Sequence, residues 1–181
     1  MGLVWHYSNG LAIPKILEEG VIRLATAGIK PPERGVAWFS TNPIWEPSAN
    51  RGNMLIKKQE YQPGLISVAT KDIKVTKFDP DEMDKAFHGR FRIGIAPEHA
   101  PHDWKALKKL ARIPKEIALS METNDHAEWG NPAEWRGTLV PVTRSMWRTV
   151  EKLERGIWVK YVDLGFTVEG GSPEGGRWGR N

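Results

Sequence analysis

A few side chains in this chain have the types and positions to do chemistry. His6 stands near the end of an apolar run, Gly2-Leu3-Val4-Trp5-His6-Tyr7, and Ser8 follows at once. An imidazole can donate or accept a hydrogen bond, and the Tyr7 and Ser8 hydroxyls do the same beside it. Taken alone, such a histidine reads as a core side chain satisfied by a backbone carbonyl. Glu134 stands at the head of a late apolar segment, Trp135-Arg136-Gly137-Thr138-Leu139-Val140-Pro141-Val142, with Glu128 a short way before it. A carboxylate so placed is either a solvated strand-end charge or a group that stabilises developing positive charge and orients a nucleophile. The chain also carries nine tryptophans, more than packing a small domain asks for. Surplus indoles suit a planar ligand, because aromatic faces stack on flat rings.

Other chemistries are excluded. There is no cysteine, so disulfide scaffolds, thiolate zinc sites, iron–sulfur clusters and thiol nucleophiles are ruled out together. Phosphate-loop, dinucleotide-binding, zincin and nucleophile-elbow motifs are absent. His99 and His102 are separated by Ala100 and Pro101, which discourages a helical metal pair, so no metal site is expected. Twenty-six Lys and Arg against 22 Asp and Glu leave a charge of +4. That excess permits contact with nucleic acid without requiring it. The same holds for the basic face of Lys105, Lys108, Lys109, Arg112 and Lys115, which reads first as a solvated helix surface.

The elements that must position these residues follow from pattern. The 181 residues suit one domain, expected over 1–169, and a Gly- and Arg-rich tail over 170–181 is expected to be mobile. Residues 2–7 read as a buried strand. A helix follows through Ile13, Ile16 and Leu17, with Pro14 in its first turn and Gly20 ending it. Val21–Leu24 reads as a short strand, 26–35 as a loop, Val36–Thr41 as a strand, and 43–53 as an irregular loop. Further strands are expected around Met54–Lys58, Leu65–Thr70, Lys74–Phe78 and Phe91–Ile95, with a short helix at Asp79–Glu82. His102–Arg112 is an amphipathic helix that buries Trp104, Leu107, Leu110 and Ala111. Glu116–Met121 reads as a strand, Asn124–Pro132 as a polar loop and Glu134–Val142 as a strand. The periodicity of Met146, Trp147, Val150 and Leu153 predicts a helix over 143–155, and Trp158–Leu164 reads as a last strand. Strands outnumber helices without regular alternation. The expected class is α+β: a split, strongly bent, mainly antiparallel sheet with flanking helices. No apolar run approaches the length of a membrane span and the first residues are not leader-like, so no membrane partner and a cytoplasmic location are expected.

Three blocks, in order, resemble the ADP-ribosyltransferase superfamily. The first is His6-Tyr7-Ser8 followed by Ile13-Pro14-Lys15-Ile16-Leu17-Glu18-Glu19-Gly20-Val21-Ile22. It is similar to the opening of the DarT-like DNA-modifying branch and of the RNA 2′-phosphotransferases. The second is Val36-Ala37-Trp38-Phe39-Ser40-Thr41-Asn42, and the third is Ala133-Glu134-Trp135-Arg136-Gly137-Thr138-Leu139-Val140-Pro141-Val142. The resemblance implies a split sheet holding NAD as substrate, with Glu134 as catalytic acid and Glu128 its rival. His6 would hold ribose hydroxyls, while Ser8 and backbone groups near Tyr7 would bond the nicotinamide amide. Trp38 or Phe39 would wall the ring above the Ser40–Thr41 pair, and Arg51 would meet the pyrophosphate. Breaking the N-glycosidic bond leaves oxocarbenium character on the ribose, which a carboxylate stabilises. The expected function is an NAD-dependent ADP-ribosyltransferase acting on a protein or nucleic acid. The alternatives are an RNA 2′-phosphotransferase-like or degenerate nucleotide-binding protein, and a non-enzymatic module with a Trp-rich partner surface.

Overall fold

The computed structural model describes residues 2–51, 84, 88–162 and 164. The strands expected around Met54–Lys58, Leu65–Thr70 and Lys74–Phe78, the helix at Asp79–Glu82 and the tail 170–181 lie outside those residues. The described part is mixed α and β. Seven strands form one antiparallel sheet in the order β5 (His102–Asp103), β6 (Trp135–Thr138), β3 (Ala37–Ser40), β1 (Val4–Asn9), β4 (Arg90–Ile95), β8 (Trp147–Glu154), β9 (Ile157–Val162), and β2 (Val21–Ile22) and β7 (Val142–Thr143) form a separate ribbon. No helix among the described residues is long and apolar enough to cross a membrane.

Strand β1 (Val4–Asn9) runs into helix α1 (Ile13–Glu19). Asn9 Oδ1 accepts from the backbone N–H of Leu11 and Ala12 at 2.9 and 3.0 Å, which turns the chain. Pro14 sits in the first turn of α1, and Gly20, at φ 65°, ends it in the left-handed conformation. Strand β2 is Val21–Ile22, β3 is Ala37–Ser40 and β4 is Arg90–Ile95. A short 3-10 turn covers Pro47–Arg51 in the loop after β3.

Strand β4 is covered on both faces. Ile93 and Ile95 are fully buried in the main core, beside Phe39, Trp147 and Val150. On the opposite face Arg92 lies between the Trp5 and Trp158 rings, 3.8 and 4.4 Å from their centroids, and pairs with Glu151 at 2.5 Å. Gly94 leaves room on that face. A Cβ there would lie 2.8 Å from Trp5 Cζ3 and 2.9 Å from Leu3 Cδ1.

The second half of the chain departs from its pattern in several places. The expected helix over His102–Arg112 is shorter: His102–Asp103 pairs as β5, and α2 covers Trp104–Leu110. Asp103 caps it by accepting from Ala106 N–H at 2.8 Å. Trp104, Leu107 and Ala111 are buried as expected, whereas Leu110 is exposed. The strand expected at Glu116–Met121 is instead helix α3 (Lys115–Thr123), and of its residues only Ala118 is buried. Pro114 opens α3, and Leu, Met, Ala and Glu fill it with good helix formers. Glu122 ties α3 to α2 by accepting from Trp104 Nε1 at 2.7 Å and from Lys108. The polar loop Asn124–Pro132 contains one helical turn, α4 (His126–Trp129).

Two further corrections follow. The strand expected over Glu134–Val142 divides into a 3-10 turn at Pro132–Glu134, then β6 (Trp135–Thr138) and β7 (Val142–Thr143). The helix expected over 143–155 is a 3-10 turn at Arg144–Met146 followed by strand β8 (Trp147–Glu154). Arg155 and Gly156, both at positive φ, turn β8 into β9 (Ile157–Val162).

Candidate functional site

Strand β1 pairs with β4 over six residues, and β3 pairs with β6 over four. Between β1 and β3 the register holds only at Trp5 and Ser40. Beyond that pair the two strands are joined by a side chain: His6 Nδ1–H donates to the Trp38 carbonyl at 3.0 Å. This bond puts the proton of the neutral imidazole on Nδ1 and leaves Nε2 as an acceptor. The ring also lies against Phe39, with centroids 5.7 Å apart.

A cavity of about 370 Å³ opens where the strands part. Its walls come from β1, β3, the loops before and after β3, and helix α3. Trp38, Trp104 and Trp135 form one aromatic cluster beside it, with centroids 5.2 to 6.3 Å apart. The volume is near the lower end of the roughly 300–1,000 Å³ range of small-molecule sites. The walls are mainly apolar and aromatic, with few polar groups.

His6, Tyr7, Trp38, Phe39 and Ser40 all line this cavity. Ser8 lies further along β1, opposite Phe91, and is not part of the lining. Thr41 is exposed, and its N–H and hydroxyl both donate to the Glu134 carbonyl, at 2.8 and 3.2 Å. Arg51 ends the 3-10 turn after β3; its side chain lies outside the described residues. Glu128 falls on α4, and its side chain is outside them too.

Glu134 is half-buried at the end of its 3-10 turn and does not line the cavity, although Trp135 next to it does. Its Oε2 accepts from Asn42 Nδ2 at 3.2 Å. The Asn42 carbonyl in turn accepts from the Tyr7 hydroxyl at 2.5 Å. A short polar chain thus runs from the cavity wall at Tyr7 through Asn42 to the Glu134 carboxylate. Burial, opposed in part by Arg92, pushes the Tyr7 hydroxyl up to about 12, so Tyr7 remains a donor across the neutral range.

Sequence reasoning missed Glu46. It is 6% exposed and lines the cavity, with Oε1 accepting from Trp135 Nε1 and from Ser48 N–H, both at 3.2 Å. The available signal was charge: Glu46 is the only charged residue between Arg34 and Arg51, and it sits between Trp45 and Pro47. No protein-family model, curated protein or solved structure matches this chain.

The buried imidazole makes a prediction about pH. Desolvation lowers the pKa of His6 below its ordinary 6.5, while its bond to Trp38 opposes the shift. The unfolded chain therefore takes up a proton before the folded one does. Stability from this group is complete above pH 6.5 and is lost as the pH falls below it. One proton corresponds to about 1.4 kcal/mol per pH unit at most. Denaturant titrations between pH 7.5 and 5 should show a steeper loss in wild type than in His6→Gln. Equal slopes would remove His6 as the source.

Proposed function

We propose that this chain is an NAD-dependent ADP-ribosyltransferase-like enzyme acting on a macromolecule, with the nicotinamide–ribose half of NAD in the cavity between β1 and β3. One observation carries this reading. The strand residues of the three blocks that resemble the superfamily, His6–Ser8, Ala37–Ser40 and Trp135–Thr138, far apart in sequence, lie on adjacent strands in the order β1-β3-β6, and residues of each line the cavity. The aromatic walls suit a flat ring. Glu134, reached from the wall through Tyr7 and Asn42, is the candidate group to stabilise the oxocarbenium-like ribose. His6 supplies an acceptor at Nε2 for a ribose hydroxyl. The split, bent form of the sheet expected from the resemblance belongs to this proposal too; the single pair between β1 and β3 is the feature that favours it.

The phosphotransferase alternative calls for several cations around a phosphate. Among the described lining residues Arg34 stands with two carboxylates, Glu33 and Glu46, so the local charge does not favour that chemistry.

The test is incubation of the full chain with NAD labelled on its adenylate phosphate, plus a cell lysate. Free nicotinamide should appear, and label should enter material that either protease or nuclease then destroys. Binding of NAD without nicotinamide release would leave a nucleotide-binding protein and end the enzymatic reading.

A further inference from the structure

Among the described residues, the Glu134 carboxylate meets one donor: Asn42 Nδ2, at 3.2 Å from Oε2. The neighbours of Asn42 fix which end of its amide faces Glu134. Asn42 Oδ1 accepts from the Ile44 N–H at 2.9 Å and closes an Asx turn, so the NH2 group is left for the carboxylate. The backbone of Asn42 is fixed as well. Its N–H donates to Ser40 Oγ at 3.1 Å, and its carbonyl accepts from the Tyr7 hydroxyl at 2.5 Å. Ser40 is fully buried and, like Tyr7, lines the cavity. Thr41 grips the same glutamate by its main chain, through the two bonds to the Glu134 carbonyl. The turn after β3 therefore holds residue 134 at backbone and side chain together, from a base bonded to two residues of the cavity wall.

We propose that Asn42 is the positioning residue for Glu134: its amide N–H holds the carboxylate at a fixed place relative to the cavity wall at Tyr7 and Ser40. The assignment rests on the reading of Glu134 as the charge that meets the oxocarbenium-like ribose. A carboxylate on a flexible stem loses side-chain freedom when it is held in one place. A bond made before NAD arrives takes that loss out of the reaction itself. Asparagine suits the position for a chemical reason. It is neutral, so it orients the carboxylate without an opposing charge that would offset the one stabilising the ribose. It also carries both an acceptor for Ile44 and a donor for Glu134, which an ionised aspartate does not. Asn42 touches neither ribose nor nicotinamide in this scheme and acts through Glu134.

The experiment measures nicotinamide release at saturating NAD, and NAD affinity by titration, for the full chain and four variants. These are Asn42→Ala, Asn42→Asp, Glu134→Gln and the double variant Asn42→Ala with Glu134→Gln. Asn42→Ala should lower the rate by about 10²-fold, the effect of misplacing a reacting group by about 1 Å, with NAD affinity little changed. In the Glu134→Gln background the same substitution should remove nothing further, because its effect runs through the charge already lost. Asn42→Asp keeps the acceptor for Ile44 but sets a second carboxylate beside Glu134. Its rate relative to wild type should be low at neutral pH and climb as the pH falls, because a proton shared by the two carboxyls restores a donor. If Asn42 serves the turn alone, Asn42→Ala loses the same factor in both backgrounds and Asn42→Asp matches wild type at every pH. Either result overturns the assignment and leaves Glu134 in its role. Loss of the fold in both Asn42 variants, read by circular dichroism, also overturns it and makes Asn42 a structural residue. Absence of nicotinamide release by wild type is a separate outcome, seen before any variant is compared; it ends the NAD reading and the role of Asn42 with it.

Discussion

Trp147→Ala should lower stability by about 3–5 kcal/mol, the usual cost of deleting a large buried aromatic side chain. Trp147 is fully buried and packs in the main core with Ile93, Ile95 and Val150. Against a typical total of about 5–15 kcal/mol, that loss is a large share of the margin. Its indole Nε1 is buried without a hydrogen-bond partner among the described residues. Trp147→Phe should therefore cost less than the lost volume suggests, because it also removes an unpaired N–H. Denaturation midpoints of wild type, Trp147→Phe and Trp147→Ala, compared at constant slope, check the order. A loss below about 1 kcal/mol for Ala would contradict the packing of β8 against β4.

The same residue explains why β8 was hard to read from sequence. Ile95 faces Trp147 and Gly94 faces Thr149, so Arg148 is passed over by the register. This bulge brings Trp147 and Val150, three residues apart, onto one buried face opposite Ile95 and Ile93. A spacing of three with polar residues between imitates a helical stripe. Helix α3 fails in the other direction. Ile117 and Leu119 are 45% and 60% exposed, so the apolar run that suggested a strand does not face the core in strand fashion. Elements with explicit punctuation were legible: Pro14 and Gly20 bracket α1, and Asn42-Pro43 stops β3 soon after its end.

Legibility of the candidate site follows the same division. His6, Tyr7, Trp38, Phe39 and Ser40 stand in short aromatic strands, and a strand carries its neighbours to the same place. Glu46 stands in a loop without periodicity. Its burial depends on Trp135, 89 residues away, and on the missing side chain at Gly130. Neither dependence is visible in local sequence, although the solitary charge between Arg34 and Arg51 was.

Glu134→Gln should reduce NAD turnover by about 10²-fold or more while changing NAD affinity far less. The substitution keeps the size of the side chain and its oxygen facing Asn42 Nδ2, but removes the negative charge. That charge matters most when the ribose becomes cationic, so its loss falls on the transition state. His6→Ala should show the opposite balance. It removes an acceptor from ground and transition states alike, so affinity falls while the rate at saturation changes less. Single-turnover rates and NAD titrations for the two variants separate these roles. Wild-type turnover in Glu134→Gln would reject Glu134 as the catalytic acid. If Glu128→Gln then carried the loss, the acid would come from α4, which packs against the 3-10 turn following Glu46.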